Sequence, residues 1–525
     1  MKQYFILFLI LAFASILRFY RLDYDLPNVF DPDEPYIMDR VVEVADGNLA
    51  HGIILRGSIP YYVNGFAIKL MTIFKPSSVK DQNTISEAYK IDKTPFYITA
   101  RSISALYGVL EIVFLFLLAK LVSNTKTALV ASLILSLSSL TINYSHRVTP
   151  DTALSTFILI TLYLTLKAYQ SNKLALYYLS SFFVGLSAAQ KLPGIYGFPI
   201  LVFAFIRSKL VFQMKLNYKI KTVFYFIAIS FFAYFLSYPF IFQNFNQIID
   251  QWLSETEQTW WYGRVQIPNL GLFGRMNEYL VFLKGGTGTF VSTLGVIGII
   301  WSIGISTFTI MMLALFFFIF LLGISLPIPY YDRWAIPLIP VISFFTASFA
   351  LHIIPKLKNK LQSFILNYLS LSLILVAPLI KSTAMSLSFN GLDTRTQEIQ
   401  WLHTKNIDES GVLRDQLTGK SQGNTIVYMT DLNRDQLERY HYFITSSYYY
   451  SKFFENPDVN AEKAKIYEKI FNSYYKVQEF KPSKMYLYYD DFEYLLNPKI
   501  WKFYQTRGPL ITIFDLTKSK SPVSY

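Results

Sequence analysis

Eight to eleven long apolar stretches crowd into residues 1–380, at 4–20, 96–119, 127–145, 152–169, 174–190, 193–207, 222–242, 287–304, 306–325, 334–353 and 362–380. A helix needs about 20 apolar residues to cross a bilayer. Lipid offers the backbone no hydrogen-bond partner, so each crossing must satisfy itself. A chain built this way is constrained to a polytopic transmembrane helical bundle, and eleven spans is the count that uses every stretch. Two boundaries are weakly marked: Gln190-Lys191 interrupts 174–207, and no charge marks a turn within 287–325. Only 16% of the residues are charged, against about a quarter in soluble domains.

The charges between the stretches alternate in sign. With the N-terminus inside, the cytoplasmic loops near 120–126, 167–173, 207–221 and 355–360 carry Lys120, Lys126, Lys167, Lys173, Arg207, Lys209, Lys215, Lys219, Lys221, Lys356, Lys358 and Lys360. They carry no Asp or Glu. The opposite loops hold Asp33, Glu34, Asp39, Glu43, Asp46, Asp151, Asp250, Glu255, Glu257 and Asp332. This asymmetry follows the positive-inside rule and predicts a cytoplasmic N-terminus, with the acids and the C-terminus outside. The formal charge of +13 is thereby read as topology, and no nucleic-acid partner is implied. Residues 4–17 read either as a signal peptide, with Ala12-Phe13-Ala14 as cleavage site, or as an uncleaved first span. Either way the chain from residue 21 is delivered outside.

Two outer loops are long. The first, 21–95, contains an amphipathic helix over 35–47, with Ile37, Val41, Val44 and Ala45 on one face and Asp39, Arg40, Glu43 and Asp46 opposite. Pro35 suits a first helical position, capped by Asp33 or Glu34. Ile59–Phe74 is a second apolar stretch, of a length to lie on the interface. The second loop, about 243–286, carries Trp252, Trp260, Trp261 and Tyr262, as at a headgroup boundary. Past residue 381 the chain turns polar and tyrosine-rich. It predicts a small α/β domain outside the membrane (381–525), after a mainly α transmembrane domain (1–380). Helices are expected at Thr394–Lys405 and Glu462–Tyr475, and strands at Thr425–Thr430, Met485–Tyr489 and Leu510–Leu516. A local run, Tyr448-Tyr449-Tyr450, stands out.

The residues suited to chemistry sit in the outer turns. The chain has no cysteine, which removes disulfides, thiolate catalysis and Cys-ligated zinc. Its five histidines form no His-x-x-x-His pair. In Asp31-Pro32-Asp33-Glu34-Pro35, the acids serve either as a helix cap or as a site. In a site, one carboxylate accepts a proton from an attacking hydroxyl, and the other orients the acceptor or holds a divalent cation. No other cofactor is implied. His146, Arg147 and Asp151 share a very short turn, where two bases and an acid would meet a lipid phosphate. Lys191 and Arg333 pose the same choice between interfacial anchor and phosphate counter-ion. Arg56 and His51 belong to the first loop. Glu111, inside the second span, is the residue on which a transporter or flippase of lipid-linked saccharides would rest.

This layout resembles the GT-C glycosyltransferases of the protein O-mannosyltransferase and aminoarabinose-transferase type (family 39 and its bacterial relatives). The resemblance rests on Arg18-Phe19-Tyr20-Arg21-Leu22 ending the first span, on Asp31-Pro32-Asp33-Glu34, and on Ala100-Arg101-Ser102-Ile103-Ser104-Ala105 starting the second. Ser145-His146-Arg147-Val148-Thr149-Pro150-Asp151, Asp332-Arg333-Trp334-Ala335-Ile336-Pro337 and Asp393-Thr394-Arg395 with Trp401 add to it. It covers roughly residues 1–350. It implies a GT-C bundle that moves a sugar, with inversion, from a polyprenyl-phosphate donor to a lipid, glycan or protein acceptor on the outer face of the inner (plasma) membrane. In that frame Asp33 activates the acceptor with Glu34 beside it, and Asp151 lies near the sugar or acceptor. Arg147 and Lys191 contact the lipid phosphate. The second long loop shows no β-trefoil insert of the eukaryotic protein mannosyltransferases, so a protein acceptor is not specifically implied.

Overall fold

A computed structural model describes residues 2–50, 57–74, 84–241, 270–305, 307–327, 329–353, 360–415, 417–419, 424–425, 439–455, 457–483 and 506–520, with isolated positions between 243 and 253 and at 437. His51, Arg56, the aromatic group Trp252, Trp260, Trp261 and Tyr262, the expected strand 485–489 and most of the expected strand 425–430 lie outside the described residues.

The chain is mainly helical. Among the described residues, seven helices are long and apolar enough to cross a membrane: Lys2–Phe19, Thr94–Val122, Asp151–Ser171, Leu216–Leu236, Phe308–Ser325, Asp332–Leu351 and Leu371–Ser388. Thr125–Ser136 and Ser139–Ser145 pass the same test together but bend by 61°. Leu174–Gln190, Leu192–Ile206 and Thr289–Gly304 are shorter apolar helices. Each of the eleven apolar stretches thus falls on an apolar helix or on the bent pair. By length and composition alone the count is seven, or eight with the bent pair.

The bend has a visible cause. A broken helix leaves carbonyl groups without intrahelical partners, and irregular backbone at membrane depth survives only where protein surrounds it. Arg18, fully buried at the end of the first helix, supplies the donors. Its Nη1 donates to Ser136 O at 3.1 Å, and its Nη2 to Leu135 O at 3.3 Å and to Thr141 Oγ1 at 3.1 Å. Gly108 makes room for this knot, since a Cβ there would collide with Ser145 Oγ and press on Arg18 Nε. Glu111 lies one helical turn further on, fully buried, and accepts from the Ser155 hydroxyl. The bend turns Ser139–Ser145 so that its end delivers the 143–151 turn to the functional end of the bundle.

The first loop folds as its pattern predicts. Asp33–Ala45 is helical with Ile37, Val41, Val44 and Ala45 buried and Asp39 and Asp46 exposed. It packs on Ile59–Phe74, which leaves Phe66, Ile73 and Phe74 exposed, an apolar face suited to lipid.

The last long helix ends at Ser388, and the C-terminal domain follows from Asp393. Its five-stranded sheet runs β2-β1-β3-β5-β4, with β1 at Val412–Arg414, β2 at Asn424–Thr425, β3 at Tyr442–Ser446, β4 at Tyr474–Phe480 and β5 at Ile511–Ser519. β1 pairs in parallel with β2 and β3, and β5 pairs antiparallel with β3 and β4. Leu402 of Thr394–Thr404 packs with Val412, Ile444, Ile511 and Ile513 on one face. Tyr467 and Ile470 of Pro457–Ser473 pack with Phe443 and Phe514 on the other. One expected boundary shifts: the helix expected to reach Tyr475 stops at Ser473, and β4 begins at Tyr474. β1, β3 and β4 had no sequence expectation.

Two arginines fasten this domain to the first loop. Arg507 Nη2 pairs with Asp25 Oδ1 at 2.5 Å. Arg395, held by Asp393 at 2.7 and 2.9 Å, donates to Phe30 O at 3.0 Å.

Candidate functional site

Four turns meet at one end of the bundle: 31–34, 143–151, the break at Lys191, and 331–334. The first is organised by Asp31. Its Oδ1 accepts from Asp33 N at 2.9 Å, an Asx turn that starts the helix. The helix begins at Asp33, after Pro32, which gives no side-chain cap. Pro35 is therefore its third residue and not its first, and Asp31 does the capping expected of Asp33 or Glu34. Asp33 and Glu34 remain in the first turn, where the helix dipole favours carboxylates.

The two neighbours then diverge. Glu34 is fully buried. Its Oε2 accepts from Arg101 Nη2 at 2.7 Å, and its Oε1 accepts from Arg101 Nε and Val148 N, both at 2.9 Å. Arg101 also donates to Leu22 O and Tyr24 O and lies 4.0 Å from the Tyr24 ring centroid. With both oxygens occupied, Glu34 is committed to Arg101 and Val148. The catalytic role expected of it is replaced by a positioning one, tying the first loop to the helix at Arg101 and to the 143–151 turn. Asp33 is partly exposed, at 22%, and pairs with Arg333 Nη1, whose side chain is 23% exposed.

Three more ion pairs and contacts complete the cluster. Arg147 Nη1 donates to Asp31 Oδ2 at 2.7 Å and Arg147 Nη2 to Asn143 Oδ1 at 3.3 Å. Lys191 Nζ donates to Asp151 Oδ1 at 2.6 Å and lies 5.7 Å from the Trp334 ring centroid. Tyr144 donates to Asp332 Oδ1 at 2.6 Å, and the same oxygen accepts Arg333 N at 2.7 Å. Burial pushes the Lys191 pKa down. Asp151 opposes that, and Arg333 adds to it.

His146 is a correction. It is fully buried, with Nδ1 2.8 Å from Ile142 O and Nε2 2.9 Å from Tyr20 O. Its ring stacks on Phe389 at 4.0 Å. Burial lowers its pKa to about 4 against the pull of the two carbonyls. A neutral ring donates to one of these two carbonyls, and the fully buried His146 serves as a strut inside the turn. Glu111 lies away from this cluster, walled in by Ser155 and the Arg18 knot.

A divalent cation finds no ready cage here. Asp31, Asp33 and Asp151 each already face a cation. Among the described residues no group of three His, Asp or Glu side chains converges as a metal site.

Asp31, Asp332, Tyr144 and Arg101 carry much of this geometry without having been assigned a role from sequence. A local signal exists for two of them: Asp31 stands two residues before a helix start, and Asp332 directly precedes Arg333. Beside Lys191 opens an apolar groove of about 280 Å3, lined by Val184, Ala188, Leu192, Ile195, Ile227 and Phe231 among others. Its lining includes Leu192, the residue after Lys191.

Residues 97–238 match the model of the family described as dolichyl-phosphate-mannose-protein mannosyltransferase. That stretch holds Arg101, Arg147, Asp151 and Lys191. No protein of curated function matches by sequence. Among solved structures, the chain is similar to the archaeal oligosaccharyltransferase AglB of Archaeoglobus fulgidus in complex with an inhibitory peptide and a dolichol-phosphate. The TM-score is 0.52 at 12% identity, over 91% of this chain and 73% of that one. ArnT from Cupriavidus metallidurans, bound to undecaprenyl phosphate, aligns with a TM-score of 0.47 at 12% identity, over 96% of this chain and 97% of that one. The fold is of GT-C type.

Proposed function

We propose that the protein is a multi-pass membrane glycosyltransferase that moves a sugar from a polyprenyl-phosphate carrier to an acceptor hydroxyl. The observation that carries this reading is the convergence of Asp33–Arg333, Asp151–Lys191 and Asp31–Arg147 at one end of the bundle. The dolichol-phosphate in the AglB complex and the family matched over 97–238 support the same ligand class.

In this reading the polyprenyl chain lies in the groove and its phosphate meets Lys191 and Arg333. The acceptor hydroxyl attacks the anomeric carbon from the side opposite the phosphate. The bond between that carbon and the phosphate oxygen breaks, its electron pair leaves with the lipid phosphate, and the configuration inverts. Lys191, Arg333 and Arg147 stabilise the growing charge. Asp33, released from Arg333 as the phosphate engages it, takes the hydroxyl proton. Asp151 holds Lys191 charged and faces the oxocarbenium-like sugar.

The test is transfer from radiolabelled polyprenyl-phosphate sugars by the purified protein in lipid nanodiscs, alongside mass spectrometry of cell-envelope glycans with and without the gene. Envelope glycans unchanged by deletion, with no turnover of any such donor, end the proposal. Lys191→Ala is expected to raise the donor KM about 10- to 100-fold, the loss of a charge-assisted hydrogen bond, with a smaller fall in kcat. A KM unaffected by this change removes Lys191 from the phosphate site.

We place the N-terminus in the cytoplasm and the C-terminal domain outside, in a bacterial inner membrane, on the alternation of charge between spans. A reporter fused after Tyr525 is expected outside and one inserted within 207–221 inside. Both on one side would refute the arrangement.

A further inference from the structure

Between the C-terminal domain and the bundle lies a cavity of about 250 Å3. Its floor shares Asp31 and Arg147 with the charged cluster, and its roof includes Leu417, Tyr448 and Arg507. Leu417 follows β1 and Tyr448 follows β3. These strands are parallel neighbours, with β2 on the far side of β1. The strand order therefore reverses between them, and open α/β sheets bind ligands in the crevice outside the carboxyl ends at such a switch point. Here that crevice is closed from below by the first loop.

The lining chemistry narrows the ligand. The cavity's four arginines are each paired with a carboxylate of the same lining: Arg101 with Glu34, Arg147 with Asp31, Arg395 with Asp393 and Arg507 with Asp25. The charges balance, so the cavity offers no net attraction to an anion. Aromatic rings of Tyr24, Phe30 and Tyr448 lie among the pairs. The volume falls just below the range of about 300–1,000 Å3 for pockets that take drug-sized ligands, which suits a single ring with its hydroxyl groups.

We propose that this cavity binds one neutral, hydroxyl-rich monosaccharide unit, the part of the acceptor that presents its hydroxyl to Asp33. The word acceptor rests on the glycosyl-transfer reading; the binding itself does not. Asp31 links the two sites, since one oxygen holds Arg147 in the cavity floor and the other holds the backbone of Asp33. The sheet domain is then the element that selects the acceptor, through Tyr448 and Arg507, while the bundle holds the donor.

The experiment uses the full-length protein in lipid nanodiscs and saturation-transfer NMR with methyl hexosides and methyl N-acetylhexosaminides. Hexose 6-phosphates and hexuronates serve as charged counterparts. Transfer is expected from at least one neutral glycoside and less from the charged sugars. Tyr448 is 49% exposed, so Tyr448→Ala should leave the melting temperature unchanged while weakening binding about tenfold, or about 1.4 kcal/mol. Tyr448→Phe retains binding. A second readout exploits the absence of cysteine in the chain. Ser483→Cys, in the cavity wall, should react more slowly with a thiol reagent when the neutral glycoside is present. No transfer from any neutral glycoside, stronger transfer from the charged sugars, or unprotected Ser483→Cys overturns the proposal. Protection by a neutral glycoside in a protein that moves no lipid-linked sugar would refute the transferase reading and leave this site standing.

Discussion

Asp33→Asn lowers sugar transfer by about 10²- to 10⁴-fold, the usual worth of a positioned general base, and leaves the protein folded. The carboxylate is partly exposed and its neighbour Glu34 does the structural tying, so an isosteric amide at 33 removes basicity without removing a support. The donor is expected to bind as well as before. Arg333 loses its resting partner, and a lipid phosphate no longer competes with a carboxylate for it. The checking measurement is single-turnover transfer with saturating donor, together with donor affinity measured separately. Wild-type turnover in purified Asp33→Asn would show that another group takes the proton. Loss of donor binding would show that Asp33 works by holding Arg333.

Glu34→Ala is expected to cost about 3–5 kcal/mol of stability, the range for breaking a buried ion pair by deleting one partner. Arg101 would stay buried with two carbonyls and the Tyr24 and Tyr97 rings but no carboxylate to compensate its charge. Val148 N would also lose its acceptor, loosening the turn that carries Arg147. Thermal unfolding in detergent, with the donor absent, reads this directly. Replacing both partners by apolar residues, as in Glu34→Leu with Arg101→Met, should recover a large part of the loss, because no lone charge is left behind. If Glu34→Ala melts with the wild type, the pair does not hold the first loop in place.

The contrast between these neighbours shows what was legible from sequence. The order of the spans was, because each apolar stretch is legible by itself and alternate turns fall at the same end of the bundle. That put Asp33, Arg147, Asp151, Lys191 and Arg333 on one face, and the coordinates bring all five together. Pairing was not legible. Glu34 finds Arg101 across 67 residues and Asp33 finds Arg333 across 300, and nothing local to the Asp-Glu dipeptide says which carboxylate turns inward. His146 was misread for a related reason: a basic side chain in a short charged turn looks like a ligand until its two carbonyl neighbours are known. In the sheet domain, Leu510–Leu516 was readable from its β-branched run. Val412–Arg414 is three residues long, too short for any periodicity. Tyr442–Ser446 passes into a helix with no turn residue between them.

The salt bridge between Asp25 and Arg507 joins positions 482 residues apart. Ribosomes add about 5–20 residues per second, so roughly 25–100 seconds of synthesis separate the emergence of these two side chains. Until then the cavity between the sheet domain and the bundle lacks the Arg507 side of its wall. On the glycosyl-transfer reading proposed above, the seat for the acceptor is therefore the last part of the protein to form.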